Sequence, residues 1–131
     1  MATREQVEAA AVARLAAFNV SAYTTGQTNG DLTEFVPPEV YAELRVSSTS
    51  RGLVKGSATS AVSGWRVEVD VVGRLQVNVN RYLDDCQAAF YGHRFTIGST
   101  TSTPLQEGVI DAAEPTGDKR FSAHGDWTFA L

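Results

Sequence analysis

Few residue types in this 131-residue chain could support acid–base or nucleophilic chemistry. They are one cysteine, Cys86, and two histidines, His93 and His124, with three aspartates nearby in sequence: Asp84, Asp85 and Asp126. A cysteine nucleophile needs an adjacent base that stabilises its thiolate. Cys86 instead falls on an apolar helical stripe, where a thiol packs like a small hydrophobic side chain and is inert. His93 follows a predicted helix end, where an imidazolium complements the helix dipole. Neither position requires a catalytic explanation.

Metal and cofactor motifs are also missing from the sequence. The tripeptide His124-Gly125-Asp126 could suggest a metal ligand set, but two distant histidines and one cysteine do not match zinc-ligand spacing. The patterns GxxxxGK[ST], GxGxxG, GxSxG and HExxH, which indicate phosphate, dinucleotide, hydrolase and metalloprotease sites, do not occur. We therefore expect no catalytic residue, no metal, no cofactor and no enzymatic activity.

One group of charged residues leaves two interpretations open. Arg66, Glu68 and Asp70 lie on the polar side of one predicted strand, and Glu43 and Arg45 lie on another. They could form a carboxylate site of a small enzyme or ligand-binding domain. Such alternation is also typical of a solvated sheet face with weak cross-strand ion pairs.

The stretch from Gly64 to Phe95 must position most of these residues. It begins as a strand, because three valines alternate with the three charges: Val67, Val69 and Val71. The period then changes to that of one helical stripe: Val79, Tyr82, Leu83, Cys86, Ala89 and Phe90. Asn78 or Asn80 is the expected N-cap, and Gly92 the expected C′ residue. The strand and helix are expected to pack their apolar sides together.

The remaining pattern predicts a helix over residues 3–18, with Thr3 and Gln6 as a capping box. Short strands are predicted over 40–46, 94–97 and 126–131, and a loop over 111–120. Residues 19–38 are expected to form a connecting region, in which 20–24 or 32–36 could form an edge strand. The expected fold class is α+β in one domain, 1–131: a mainly antiparallel sheet of about four strands with two helices on one face.

Charge and hydropathy exclude several classes of protein. With 11 basic and 15 acidic side chains the net charge is −4, whereas dedicated nucleic-acid binders carry basic faces. No apolar run reaches the roughly 18 residues of a membrane span, and the first residues lack the order of a signal peptide. We expect a protein that is soluble and cytosolic when made, with no internal disulfide.

Residues 47–64 form a long connection between the two clearest strands. The segment is rich in Ser, Thr and Gly, carries Arg51 and Lys55, and contains no acid. A connection of this length in a small domain is either mobile or functional. The two interpretations are a disordered hairpin tip and an arm that orders against a partner. The residues of the candidate assembly arm are Ser50, Arg51, Gly52, Leu53, Val54, Lys55 and Gly56.

Several features together resemble the tail terminator (tail completion) proteins of phages with long, flexible, non-contractile tails. They are the first helix, the strand VYAELRV before the Ser/Gly-rich hairpin, the strand WRVEVDVVG leading into NRYLDDCQAAFYG, and the closing FSAHGDWTFAL. The resemblance covers nearly the whole chain, but residues 19–38 carry little that matches the family. It is one of element order and short strings such as VDVVG, without a single diagnostic motif.

The resemblance implies an α+β virion protein of the tail or neck, made in the host cytoplasm. Its members form a six-fold ring on the tail tube protein, stop tube growth and present a surface to the head-completion protein, while DNA passes through the centre. The two ring faces must differ, so the basic arm is expected on one and an acidic segment, with Asp111, Glu114 and Asp118, toward the other. A head-completion stopper and a tube protein are the nearest alternatives.

Overall fold

The described part of the chain folds into three helices and seven strands. The computed structural model describes residues 2–28, 38–53 and 61–131. In chain order the elements are α1 (Arg4–Ala16), β1 (Ala22–Thr24), α2 (Thr25–Thr28), β2 (Val40–Leu53), β3 (Ala61–Gly73), α3 (Gln76–Phe90), β4 (Thr96–Ile97), β5 (Thr100–Thr101), β6 (Gln106–Pro115) and β7 (Phe121–Ala130).

A five-stranded sheet with the order β1-β2-β3-β7-β6 forms the centre of the fold. Every neighbouring pair is antiparallel except β1 with β2, and β4 and β5 form a separate two-stranded sheet. The expected α+β class with a mainly antiparallel sheet is confirmed. The expected number of about four strands is too low, because both β1 and β6 join the sheet. The strand predicted over 94–97 is shorter, Thr96–Ile97, and lies in the separate two-stranded sheet.

Alternation along the three central strands gives the sheet one buried face. The buried positions are paired across the ladders, and all of them face α1 and α3, which cover this side of the sheet. They are Ala42, Leu44 and Val46 on β2, Trp65, Val67, Val69 and Val71 on β3, and Ala123, Trp127 and Phe129 on β7. Burying a side chain of this size contributes about 1.5–3 kcal/mol, so this face is the main source of stability.

The predicted capping box fixes the start of α1. The Thr3 hydroxyl accepts a hydrogen bond from the Gln6 backbone at 3.2 Å, and the Gln6 side chain accepts one from the Thr3 backbone at 2.9 Å. Near the other end, Arg14 Nε donates to the Ala89 carbonyl at 2.7 Å and its guanidinium lies 4.7 Å from the Phe18 ring centre. Arg14 thus ties α1 to the end of α3.

The start of α3 differs from the prediction. Its N-cap is Leu75, which makes no side-chain capping bond, and neither Asn78 nor Asn80 is the cap. Asn80 instead accepts a hydrogen bond from the Ala113 backbone on β6 at 2.9 Å, so its side chain serves a tertiary contact. Gly92 does adopt a left-handed backbone, with φ of 62°, at the predicted C′ position.

Four strands include residues that the sequence patterns do not assign to strands. β2 continues through residues 47–53 and β3 begins at Ala61, so most of the expected loop over 47–63 is strand. β6 includes residues 111–115, which were expected to be loop, and β7 begins five residues before Asp126. In each case small or polar residues pair through their backbones, and such pairing leaves no hydrophobic alternation to detect.

Candidate assembly surface

The sheet face turned away from the helices is polar, and we call it the open face. It is made of the residues that alternate with the buried set. They are Tyr41, Glu43, Arg45 and Ser47 on β2, Arg66, Glu68, Asp70 and Val72 on β3, and Ser122, His124, Asp126 and Thr128 on β7. None of them is buried, whereas the alternate residues are buried against α1 and α3.

Bulges in β6 extend the open face to the edge of the sheet. Asp111 is paired with His124 and Glu114 with Ser122, and the register shifts between them. Two residues of β6 therefore oppose one of β7, which keeps Asp111 and Glu114 on the same side of the sheet. Both side chains are exposed.

The open face carries an excess of negative charge equal to that of the whole chain. Six of the 15 acidic and two of the 11 basic side chains occupy it, which leaves nine of each elsewhere in the sequence. The acids are Glu43, Glu68, Asp70, Asp111, Glu114 and Asp126, and the bases are Arg45 and Arg66. Glu43 and Asp70 are direct cross-strand neighbours, a like-charged pair that destabilises the sheet.

His124 lies between two carboxylates in the middle of this face. Its Nδ1 is 2.8 Å from Asp70 Oδ1, and its Nε2 is 3.6 Å from Asp126 Oδ2. The side chains of His124, Asp70 and Asp126 are 31%, 48% and 16% exposed. Asp126 Oδ1 also accepts a hydrogen bond from the Val109 backbone at 3.2 Å, which holds this carboxylate against a β6 bulge.

The two carboxylates favour the protonated form of His124. Burial alone would lower the pKa of His124, but the hydrogen bond and charge of Asp70, followed by those of Asp126, raise it above its ordinary value. The two oxygens face opposite ring nitrogens, so the three side chains do not converge on a point. Within the described ranges no group of three or more His, Cys, Asp or Glu is placed to hold a metal ion.

We expect the stability of the protein to fall as the pH rises above about 6.5, the pKa of an ordinary histidine. Because the folded pKa of His124 is raised, the folded state holds a proton that the unfolded state releases first. The stabilisation is complete below the unfolded pKa and is lost as the pH rises through the folded value. Urea unfolding at a series of pH values should show this slope in the native protein and a smaller one in His124→Asn.

His93 provides an internal check on that measurement. Burial, followed by the charge of Arg14, lowers the pKa of His93, so its effect on stability develops below pH 6.5 and has the opposite sign. The two histidines therefore act in different pH windows. Equal slopes above pH 6.5 in the native protein and in His124→Asn would show that the carboxylates do not hold the proton.

Only one Arg–carboxylate ion pair of the described residues lies on the open face. Arg45 Nη1 is 3.9 Å from Glu68 Oε2, and the Arg45 side chain is 64% exposed. A pair of this geometry is worth at most about 1 kcal/mol. The predicted cross-strand ion pairs are thus reduced to one weak contact. Three of the six carboxylates of the face, Glu43, Asp111 and Glu114, have no ion-pair partner among the described residues.

The structure places the candidate arm at one end of the sheet. β7 pairs with β3 as far as Gly64, but the β2–β3 ladder continues for three more pairs: Arg51 with Ser63, Gly52 with Val62, and Leu53 with Ala61. We call this projecting two-stranded part the ribbon. The prediction of a loop is wrong for Ser50, Arg51, Gly52 and Leu53, because their backbones continue the ladder. Val54, Lys55 and Gly56 lie outside the described residues.

The candidate acidic segment lies toward the opposite end. Asp111 and Glu114 are on β6, and Asp118 is in the exposed turn between β6 and β7. The Thr116 hydroxyl donates to the Asp118 carboxylate and lowers its pKa. The β3 segment paired with β7 has ten residues, so about 30 Å of sheet separates the ribbon from this turn.

The other candidates for chemistry are accounted for by packing. Cys86 is completely buried, and this burial, followed by the charge of Asp85, raises the pKa of the thiol to about 12. Such a thiol is neither a ready nucleophile nor a metal ligand.

Two surface clefts, of about 270 and 490 Å³, are lined by other residues and include neither histidine. Among the described helices, none is both long and apolar enough to span a membrane.

Sequence patterns reveal the parts of the open face but not their assembly. The alternation predicts that Glu68 and Asp70 share a side with Arg66, as they do. The proximity of His124 to Asp70, 54 residues away, depends on strand order, which the pattern does not supply. The shared parity of His124 and Asp126 is a signal that could have placed both on this face.

Comparison with known proteins shows the fold alone. No family model and no curated protein matches the chain. Six chains of solved structures match it, and one of them, which has no descriptive name, is similar over 99% of this chain and 96% of its own. The two are 16% identical, with a TM-score of 0.65. The α+β architecture of this chain is thus shared with a solved protein from end to end.

Proposed function

We propose that this protein is a structural subunit of a phage virion that caps the tail tube. In this proposal, identical subunits form a six-fold ring at the tube end, stop tube growth and present their other side to the head-completion protein. DNA passes through the ring without sequence-specific contacts. The protein would act in the virion tail or neck as an assembly component and not as an enzyme.

The observation that carries the proposal is the ribbon. A ring requires head-to-tail contacts, in which each subunit uses two different patches. The three ladder pairs beyond Gly64 extend outside the rest of the sheet, and a projection of this kind is suited to reach a neighbouring subunit. Its basic sequence differs from the acidic segment at the other end of the sheet, so the two ends offer different chemistry.

The mechanism follows from symmetry. Many small contacts around a ring add up, so each contact can be weak enough for free subunits to stay dissociated. Growth stops only if the surface that binds the tube is not repeated on the other side of the ring. The end-to-end resemblance in element order to tail terminators supports this assignment over a stopper or tube protein.

Tail tubes prepared without the protein provide the test. We expect the purified protein, added to such tubes, to form rings at one tube end, visible by electron microscopy, and to prevent further addition of tube protein. A variant in which an Asn-Gly turn replaces residues 50–60 should keep the melting temperature of the native protein. It should no longer bind to tube ends. Binding along the whole tube, or to head particles but not to tubes, would contradict the proposal.

A further inference from the structure

We propose that the open face of one subunit receives the ribbon of the next copy of the same chain. The inference rests on the proposed function for the ring, and it names the two surfaces that make the contact. It starts from the charge excess of the open face. Glu43, Asp111 and Glu114 have no ion-pair partner among the described residues, so an added cation would be favourable there.

The occupant is identified by charge complementarity. Residues 47–64 contain two basic residues, Arg51 and Lys55, and no acidic one. The open face carries the acidic excess of the chain, with its two arginines, Arg45 and Arg66, on β2 and β3 and the carboxylates of Asp111 and Glu114 at the β6 edge. A segment with only positive charge therefore fits the outer part of this face.

The ribbon extends away from its own open face. β2 and β3 continue their ladder outward past Gly64, and the three extra pairs carry the chain about 10 Å beyond β7. A bulge between Ser48 and Ser50 adds local twist at the base of the ribbon. The complementary surface that the ribbon can reach is thus that of a neighbouring copy.

A contact between ribbon and open face is head-to-tail. It uses a different patch on each of the two subunits, as a closed ring requires, and it leaves the ribbon of the last copy free to bind the open face of the first. Basic side chains of the next copy would lie beside Asp111 and Glu114, which have no ion-pair partner among the described residues. The contact should accordingly weaken as salt screens the charges.

Charge reversal tests the contact in solution, without tails. One variant carries Arg51→Glu and Lys55→Glu; the other carries Asp111→Lys and Glu114→Lys at the β6 edge. Sedimentation velocity at about 50 mM salt should show self-association of the native protein by about 1 mM, and a Kd raised more than about tenfold in each variant alone. An equimolar mixture of the two variants should associate again, because each then meets an opposite charge.

The matched control is Arg4→Glu with Arg81→Glu, which makes the same charge change on exposed helix positions and should associate like the native protein. Circular dichroism and thermal unfolding confirm that each variant folds. A native protein that stays monomeric at about 1 mM, a ribbon variant that associates normally, or a mixture that stays monomeric would each overturn the inference. Self-association tests only the contact between ribbon and open face, whereas tail length tests tail capping. Either proposal can therefore fail without the other.

Discussion

Replacement of Cys86 by aspartate is expected to leave the protein largely unfolded, whereas Cys86→Ala should lower the free energy of unfolding by only about 1 kcal/mol. Cys86 is completely buried on the face of α3 that packs against the sheet. A carboxyl group there must either remain charged without a partner or take up a proton and remain poorly hydrogen-bonded. An uncompensated buried charge costs about 3–5 kcal/mol, a large part of the 5–15 kcal/mol that stabilises a typical domain.

Chemical denaturation followed by circular dichroism measures this effect. The matched control is Ala88→Asp, two residues further along α3, where the side chain is exposed. This control should cost less than about 1 kcal/mol, mainly from the lower helix propensity of aspartate. Similar stabilities for Cys86→Asp and Ala88→Asp would show that this side of α3 does not pack on the sheet.

The sequence predicts the parts of the fold that are built from alternating apolar and polar residues. The three predicted core valines of β3 are buried as expected, and the capping box at Thr3 forms. The helical stripe is buried at Val79, Leu83, Cys86, Ala89 and Phe90 and partly buried at Tyr82. These signals are local, since each depends on residues a few positions apart. Helix packing against one side of the sheet follows from them.

Other parts of the fold depend on contacts that the sequence does not display. The ribbon consists of residues 51–53 and 61–63, whose sequences RGL and AVS show no alternation of apolar and polar residues over a useful length, and it pairs because β2 and β3 are already aligned by their apolar halves. Gly125, in the middle of β7, lacks a side chain for a packing reason. A Cβ at Gly125 would lie 2.7 Å from the Trp127 ring, so a side chain at this position would displace that ring.

The open face also has features that the sequence predicts and features that depend on strand order. Charged residues of the open face are predicted one strand at a time, but the strand order brings them together and the β6 bulges add Asp111 and Glu114. The role of these residues in assembly stays a prediction. His124 could not be assigned to Asp70 from sequence, because their pairing depends on the alignment of β3 with β7.

Loss of the protein during virion assembly is expected to have the second large effect. If the ring ends tube growth, tubes without it should continue to add subunits, because the exposed tube end remains complementary to free tube protein. The same tubes should fail to join heads, because the joining surface belongs to the ring. Both defects should be corrected by supplying the native protein, but not by the Arg51→Glu and Lys55→Glu variant if the ribbon contact builds the ring.

Tail length is the measurement that tests tail capping most directly. Electron micrographs of particles assembled with and without the protein give the distribution of tail lengths and the fraction of tails joined to heads. Tail capping predicts a narrow distribution with the protein, and long, irregular, headless tails without it. Uniform tails that join heads normally in its absence would contradict tail capping.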